Sequence, residues 1–141
     1  MMLRRRIAAN QDGAAAIEMA FALPVLIVMI WAFVQLAQIY RALAGIQQGL
    51  GEGARYATLC LDPTSTGCSA PTASTIKAKI QSSVYGIGPG TFTVNDPVPG
   101  TSGTGAYFDL TVNYTQPTDL LLFRGPTILV SRSKRVWIAA T

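Results

Sequence analysis

The sequence predicts an α+β chain: a long N-terminal helix of membrane-spanning length carrying a small head of one further helix and a short antiparallel sheet. Three observations point there. From Met19 to Val34 no residue is charged or strongly polar, and the apolar excess of the chain is concentrated before Tyr40. From Thr72 to Tyr85, Ile76, Ile80 and Val84 recur at helical spacing, with Lys77, Lys79 and Gln81 largely off that face. From Tyr107 to Tyr114, Phe108, Leu110, Val112 and Tyr114 alternate with Asp109, Thr111 and Asn113, the period of a half-buried strand.

The first element is a basic leader over residues 1–13. A transmembrane helix follows over 14–36, then a membrane-proximal extension over 37–59, then an exported head over 60–141. The chain has 141 residues, half of them hydrophobic and 13% charged, which is enough for one small domain plus an anchor. A helix from Ala14 to Gln35 rises roughly 33 Å, enough to cross a hydrocarbon core of about 30 Å. Net charge is +4, with Arg4, Arg5 and Arg6 grouped ahead of the span. Cations just before a first span hold that end in the cytoplasm, so everything after Tyr40 is expected outside. A cleaved secretory signal fits less well, because Asn10, Gln11, Asp12 and Glu18 interrupt its apolar core.

Pro24 lies inside the span and is expected to kink or loosen it, since it removes a backbone donor. After the membrane, Leu43, Ile46, Leu50, Ala54 and Ala57 form an apolar stripe. Gly45, Gly49 and Gly53 fall four apart, with Ala57 continuing the series. Two readings compete for these glycines. Small residues at this spacing let another helix approach closely; equally, the glycines fray or end the helix, each costing about 1 kcal/mol against alanine. Further on, Thr91–Val94 reads as a short strand and Asp96–Gly105 as a loop. Leu120–Phe123 is a short apolar patch, and Thr127–Ile138 is a last strand broken by Arg132, Lys134 and Arg135.

Cys60 and Cys68 both follow the span and close a short loop. In an exported segment that reads as a disulfide, contributing roughly 2–3 kcal/mol in the chain-entropy model. The alternatives are two free thiols or half a metal site. The chain has no histidine and no second cysteine pair, which argues against zinc. The missing imidazole also removes the usual general base, and no nucleophile elbow or phosphate loop is present. No catalytic residue, cofactor or metal ligand set is assigned. The basic C-terminal end carries few interleaved aromatics, so nucleic acid is not an expected partner.

Glu18 stands apart. It is the one ionised group between Asp12 and Arg41. One reading keeps it at headgroup level, favoured by the helix dipole. The other follows from its place five residues after Gly13. Removal of the leader after Gly13 would leave a new amine on Ala14, one turn from Glu18. An intramembrane acid usually has a partner, and the amine of a processed neighbour would supply one.

Taken together, Arg4-Arg5-Arg6, Gly13-Ala14-Ala15-Ala16-Ile17-Glu18-Met19-Ala20-Phe21-Ala22-Leu23-Pro24 and Glu52-Gly53-Ala54-Arg55-Tyr56-Ala57 resemble the TadE-like pseudopilins of the tight-adherence (Tad/Flp) pilus system. The resemblance covers about the first 60 residues. One position departs from it: Met19 follows the glutamate where these pilins often carry an aromatic. The resemblance implies a pilin-like head and a minor structural role in building adhesive pili, without enzymatic activity. Gly13–Ala14 would be the cut site of a prepilin peptidase and Glu18 the assembly carboxylate. It implies as partners other pilin and pseudopilin subunits, the peptidase, the pilus assembly platform and the lipid bilayer. The place would be the bacterial inner membrane, with the head periplasmic or incorporated in the pilus. The rival reading is an uncleaved, membrane-anchored periplasmic binding module unrelated to a pilus.

Overall fold

In the computed structural model, which describes residues 12–59, 69–103, 105–121 and 123–138, the apolar run and the glycine-bearing segment after it form a single helix. This helix, α1 (Asp12–Ala57), has 46 residues and is about 69 Å long at the usual rise. It runs through Pro24 with helical residues on both sides. Arg55 in the last turn complements the helix dipole. Beyond it, the Thr58 hydroxyl donates to the carbonyls of Ala54 and Arg55, at 3.3 and 3.0 Å, which satisfies orphan acceptors at the helix end.

The second helix, α2 (Ala73–Ser83), is one residue shorter at its start and two at its end than the sequence suggests. Thr72 and Thr75 explain the start. The Thr75 N–H donates to the Thr72 hydroxyl at 3.3 Å, and the Thr72 N–H donates to the Thr75 hydroxyl at 3.0 Å, a reciprocal cap. Val84 turns extended and ends the helix.

Four strands follow: β1 (Thr91–Val94), β2 (Val98–Ser102), β3 (Gly105–Gln116) and β4 (Ile128–Ile138). Each of the others pairs antiparallel with β3. β4 takes one whole edge of β3, from Ala106 opposite Ile138 to Gln116 opposite Ile128. β1 and β2 meet residues 112–115 and 105–109, so they share the edge that β4 leaves.

Two expectations need correction here. The segment read as a loop from Asp96 to Gly105 contains β2. Pro99 and Gly100 hide its strand character in sequence, because both are depleted in strands. An edge tolerates them, and the Tyr107 ring lies directly over its partner Gly100; a Cβ there would collide with the ring. Likewise β4 is not broken at Arg132–Arg135. Arg132 and Lys134 pair with Val112 and Leu110 and both are exposed, while Val136 further along the same strand is buried in the core. An edge strand carries charge at little cost, and charge there discourages pairing with other chains.

The core lies between the C-terminal half of α1, α2 and the even-numbered face of β3. Ala42, Ile46, Leu50, Ala54 and Ala57 are buried against Ile76 and Ile80 and against Leu110, Val112 and Tyr114. Ala42 occupies the stripe position that Leu43 was expected to hold; Leu43 is half-buried beside it.

Candidate assembly site

The N-terminal half of α1 projects away from this core. Its apolar side chains are bare, with Phe21 75% exposed, and Glu18 lies exposed among them. Among the described residues α1 is the one helix long and apolar enough to cross a membrane, the form of a single-span anchor. Three ion pairs occur among the described residues, Arg55–Glu52, Lys77–Asp96 and Arg135–Asp109, and none involves Glu18. Gly13 and Ala14 are helical and exposed one turn before it, and a Cβ at Gly13 would meet nothing within 4 Å. The fold therefore has no steric need for glycine at 13. Arg4, Arg5, Arg6, Cys60 and Cys68 lie outside the described residues.

Gly45, Gly49 and Gly53 sit on the opposite half of α1, facing α2 and the turn after it. A Cβ at Gly45 would collide with the main chain of Tyr85. One at Gly49 would stand 2.6 Å from Val84 Cγ2, and one at Gly53 2.8 Å from Ile80 Cδ1. Ala57 is buried at the end of the same series. The segment that approaches these residues is thus α2 of the same chain, over Gly53, and the turn that follows it, over Gly49 and Gly45, and the glycines let it lie almost on the α1 backbone. Gly51 faces open space.

Between the bare half and the buried half lies a polar junction that sequence reasoning missed. Gln35 is only 8% exposed although it closes the apolar run. Its side-chain amide clamps the Asp119 peptide from both sides: Nε2 donates to the carbonyl, and Oε1 accepts from the N–H at 3.3 Å. The Trp31 indole donates to the same carbonyl at 2.6 Å. One turn on, Gln38 accepts from Gln116 at 3.4 Å, and Gln116 accepts from the Tyr114 hydroxyl at 2.7 Å. Burial raises the Tyr114 pKa, partly opposed by a hydrogen bond from the Gly90 backbone. The available signal was the pair Gln35 and Gln38 at the end of an apolar helix, where amides need partners once buried.

On the outer face of the sheet, Arg135 grips Asp109 with two hydrogen bonds, each 2.8 Å, and stacks 4.0 Å from the Tyr107 ring centroid. The hydrogen bond from Arg135 holds the Asp109 carboxyl below its usual pKa, and the same bond raises that of Arg135. Trp137 meets Tyr107 edge-on at 5.2 Å.

Comparison with curated proteins and with solved structures gave no match. The family model described as TadE-like protein matches residues 13–55, from the glycine before the bare half of α1 to two residues short of the helix end, and this helix is where the chain is TadE-like.

Proposed function

We propose that this protein is a minor, pilin-like structural subunit of a Tad/Flp pilus, with no enzymatic role. In this reading α1 anchors the chain in the inner membrane with Arg4, Arg5 and Arg6 in the cytoplasm and the head on the periplasmic side. A prepilin peptidase removes residues 1–13, and Pro24 loosens the span for packing among other helices. Glu18 then pairs with the Ala14 amine of a neighbouring subunit on the assembly platform. One observation carries the reading: the TadE-like match falls on a helix whose outer half is buried in its own head while its apolar half, with Glu18 and the open Gly13, is left bare. A bare apolar surface of this extent needs lipid or other helices against it.

Glu18→Gln tests this. The acid is exposed and holds up nothing in the subunit, so the variant should insert and be processed like wild type. Without the carboxylate the neighbour's amine loses its partner in a low-dielectric setting, which costs more than the 0–1 kcal/mol or so of a surface pair. Co-purification of other pilins and counts of surface pili should both drop to near background, with partial retention in Glu18→Asp. Wild-type piliation together with an intact leader on the accumulated protein would instead support the uncleaved anchored module.

A further inference from the structure

Thr118–Leu121 and Phe123–Pro126 form the two arms of a small hairpin closed by its own hydrogen bonds. The Gly125 N–H donates to the Thr118 carbonyl and the Leu120 N–H to the Phe123 carbonyl, both at 3.0 Å, and Asp119 and Arg124 form a bridge between them. The Thr118 hydroxyl donates to the Pro126 carbonyl at 2.7 Å, and the Asp119 carboxylate accepts from the Leu121 N–H at 3.2 Å. The neck is therefore polar and fixed.

The tip is the opposite. Leu121 has φ 66, a left-handed conformation where glycine or asparagine is the usual occupant. Leu121 and Phe123 are 56% and 60% exposed. A turn in water would carry small polar residues at such places. Here the chain keeps large apolar ones and holds them outward.

The direction of the tip is set by α1. Trp31 and Gln35 hold the Asp119 peptide, and Leu120 and Phe123 flank a groove whose other wall is the α1 segment from Pro24 to Ala32. The tip therefore reaches from the polar junction back along the apolar span. Trp31 lies about 27 Å along the helix from Gly13, close to the thickness of a hydrocarbon core of about 30 Å. An indole that donates a hydrogen bond suits the membrane interface at that level. Val28 and Pro24 then lie about 5–10 Å deeper, the depth an interfacial apolar face occupies. The exposed Arg124 at the neck is placed for lipid phosphates.

We propose that this hairpin is a membrane foot: Leu120, Leu121 and Phe123 insert into the leaflet on the head's side, next to the helix of their own chain, and set the depth and tilt of the head. The occupant is lipid because the tip continues, without a break, the apolar surface by which α1 spans. The inference rests on the anchor reading above.

Photo-crosslinking separates the two. A benzophenone amino acid is placed singly at position 123, at position 21 in mid-span, and at position 98 on β2, where Val98 is also 61% exposed. The full chain is reconstituted in phosphatidylcholine and phosphatidylglycerol vesicles, irradiated and weighed by mass spectrometry. Lipid adducts are expected at 21 and 123, severalfold above 98. Adducts at 21 with only the position-98 level at 123 overturn the foot and leave the anchor. Absence at 21 overturns the anchor and the foot with it. Crosslinks from 123 to a second protein chain in place of lipid reassign the tip as a subunit contact and overturn the proposal.

Discussion

Gly13 is a residue the fold does not use. Its position is helical and open, so Gly13→Leu should leave the head intact and favour the helix by up to about 1 kcal/mol. The same change puts a branched side chain at the bond a peptidase would cut. Intact-mass spectrometry should find wild type beginning at Ala14 and the variant retaining its leader, with unchanged circular dichroism; a leaderless variant would mean the glycine is not read. Asp109 is the residue where pH acts. Its carboxyl is held below the ordinary value by Arg135, so the pair stabilises fully above the unfolded pKa of about 4. That contribution is lost as pH falls through the lower folded value. Asp109→Asn should therefore melt below wild type at neutral pH, and the gap should narrow as pH falls below the unfolded value and the folded carboxyl takes up its proton. Parallel melting curves from neutral pH downward, in the same detergent, check the sign; a gap that does not narrow with falling pH would point to packing against Tyr107 instead.

At the scale of elements, the α1–α2 contact is decided by which glycines are covered. Gly53 lies under Ile80 and Gly51 under nothing. Gly53→Val overpacks that contact and should cost about 1–3 kcal/mol. Gly51→Ala should be neutral or stabilise by up to about 1 kcal/mol, because alanine fits the helix better. Denaturant titrations of the two variants in micelles give the comparison; equal effects would argue that α2 is loosely seated. The junction of Gln35 with Asp119 and of Gln38 with Gln116 links α1 to the end of β3 and to the hairpin after it. Each amide is buried or half-buried and satisfied, so these contacts fix how the head sits on the helix.

For the whole molecule, α1 divides into a bare apolar half and a half buried in the head, and Cys60 and Cys68 follow both in the sequence. If the head's side of the span is the oxidising one, Cys60 and Cys68 should resist alkylation in the freshly isolated protein and both react after reduction, a mass difference readable on the intact chain. Two free thiols at isolation would place the head in a reducing compartment or deny the bridge. The sequence by itself determined the span, the acid within it, both helices and the strand β3. Each is a one-dimensional signal: a run, a violation of that run, or a period of 3.6 or 2. Glu18 stands out in the sequence as a lone carboxylate in an apolar stretch, whereas the roles of Glu18 and Gly13 belong to the proposal above. Only the tertiary structure decided that β2 exists under Tyr107, that β4 runs unbroken past its charges, and that α2 and the turn after it are seated on Gly53, Gly49 and Gly45. It alone brought Gln35 to Asp119, 84 residues away, and laid Leu120 and Phe123 beside Pro24. Those outcomes depend on partners distant in the chain and on which edge or face is left uncovered, and neither quantity is written in local pattern.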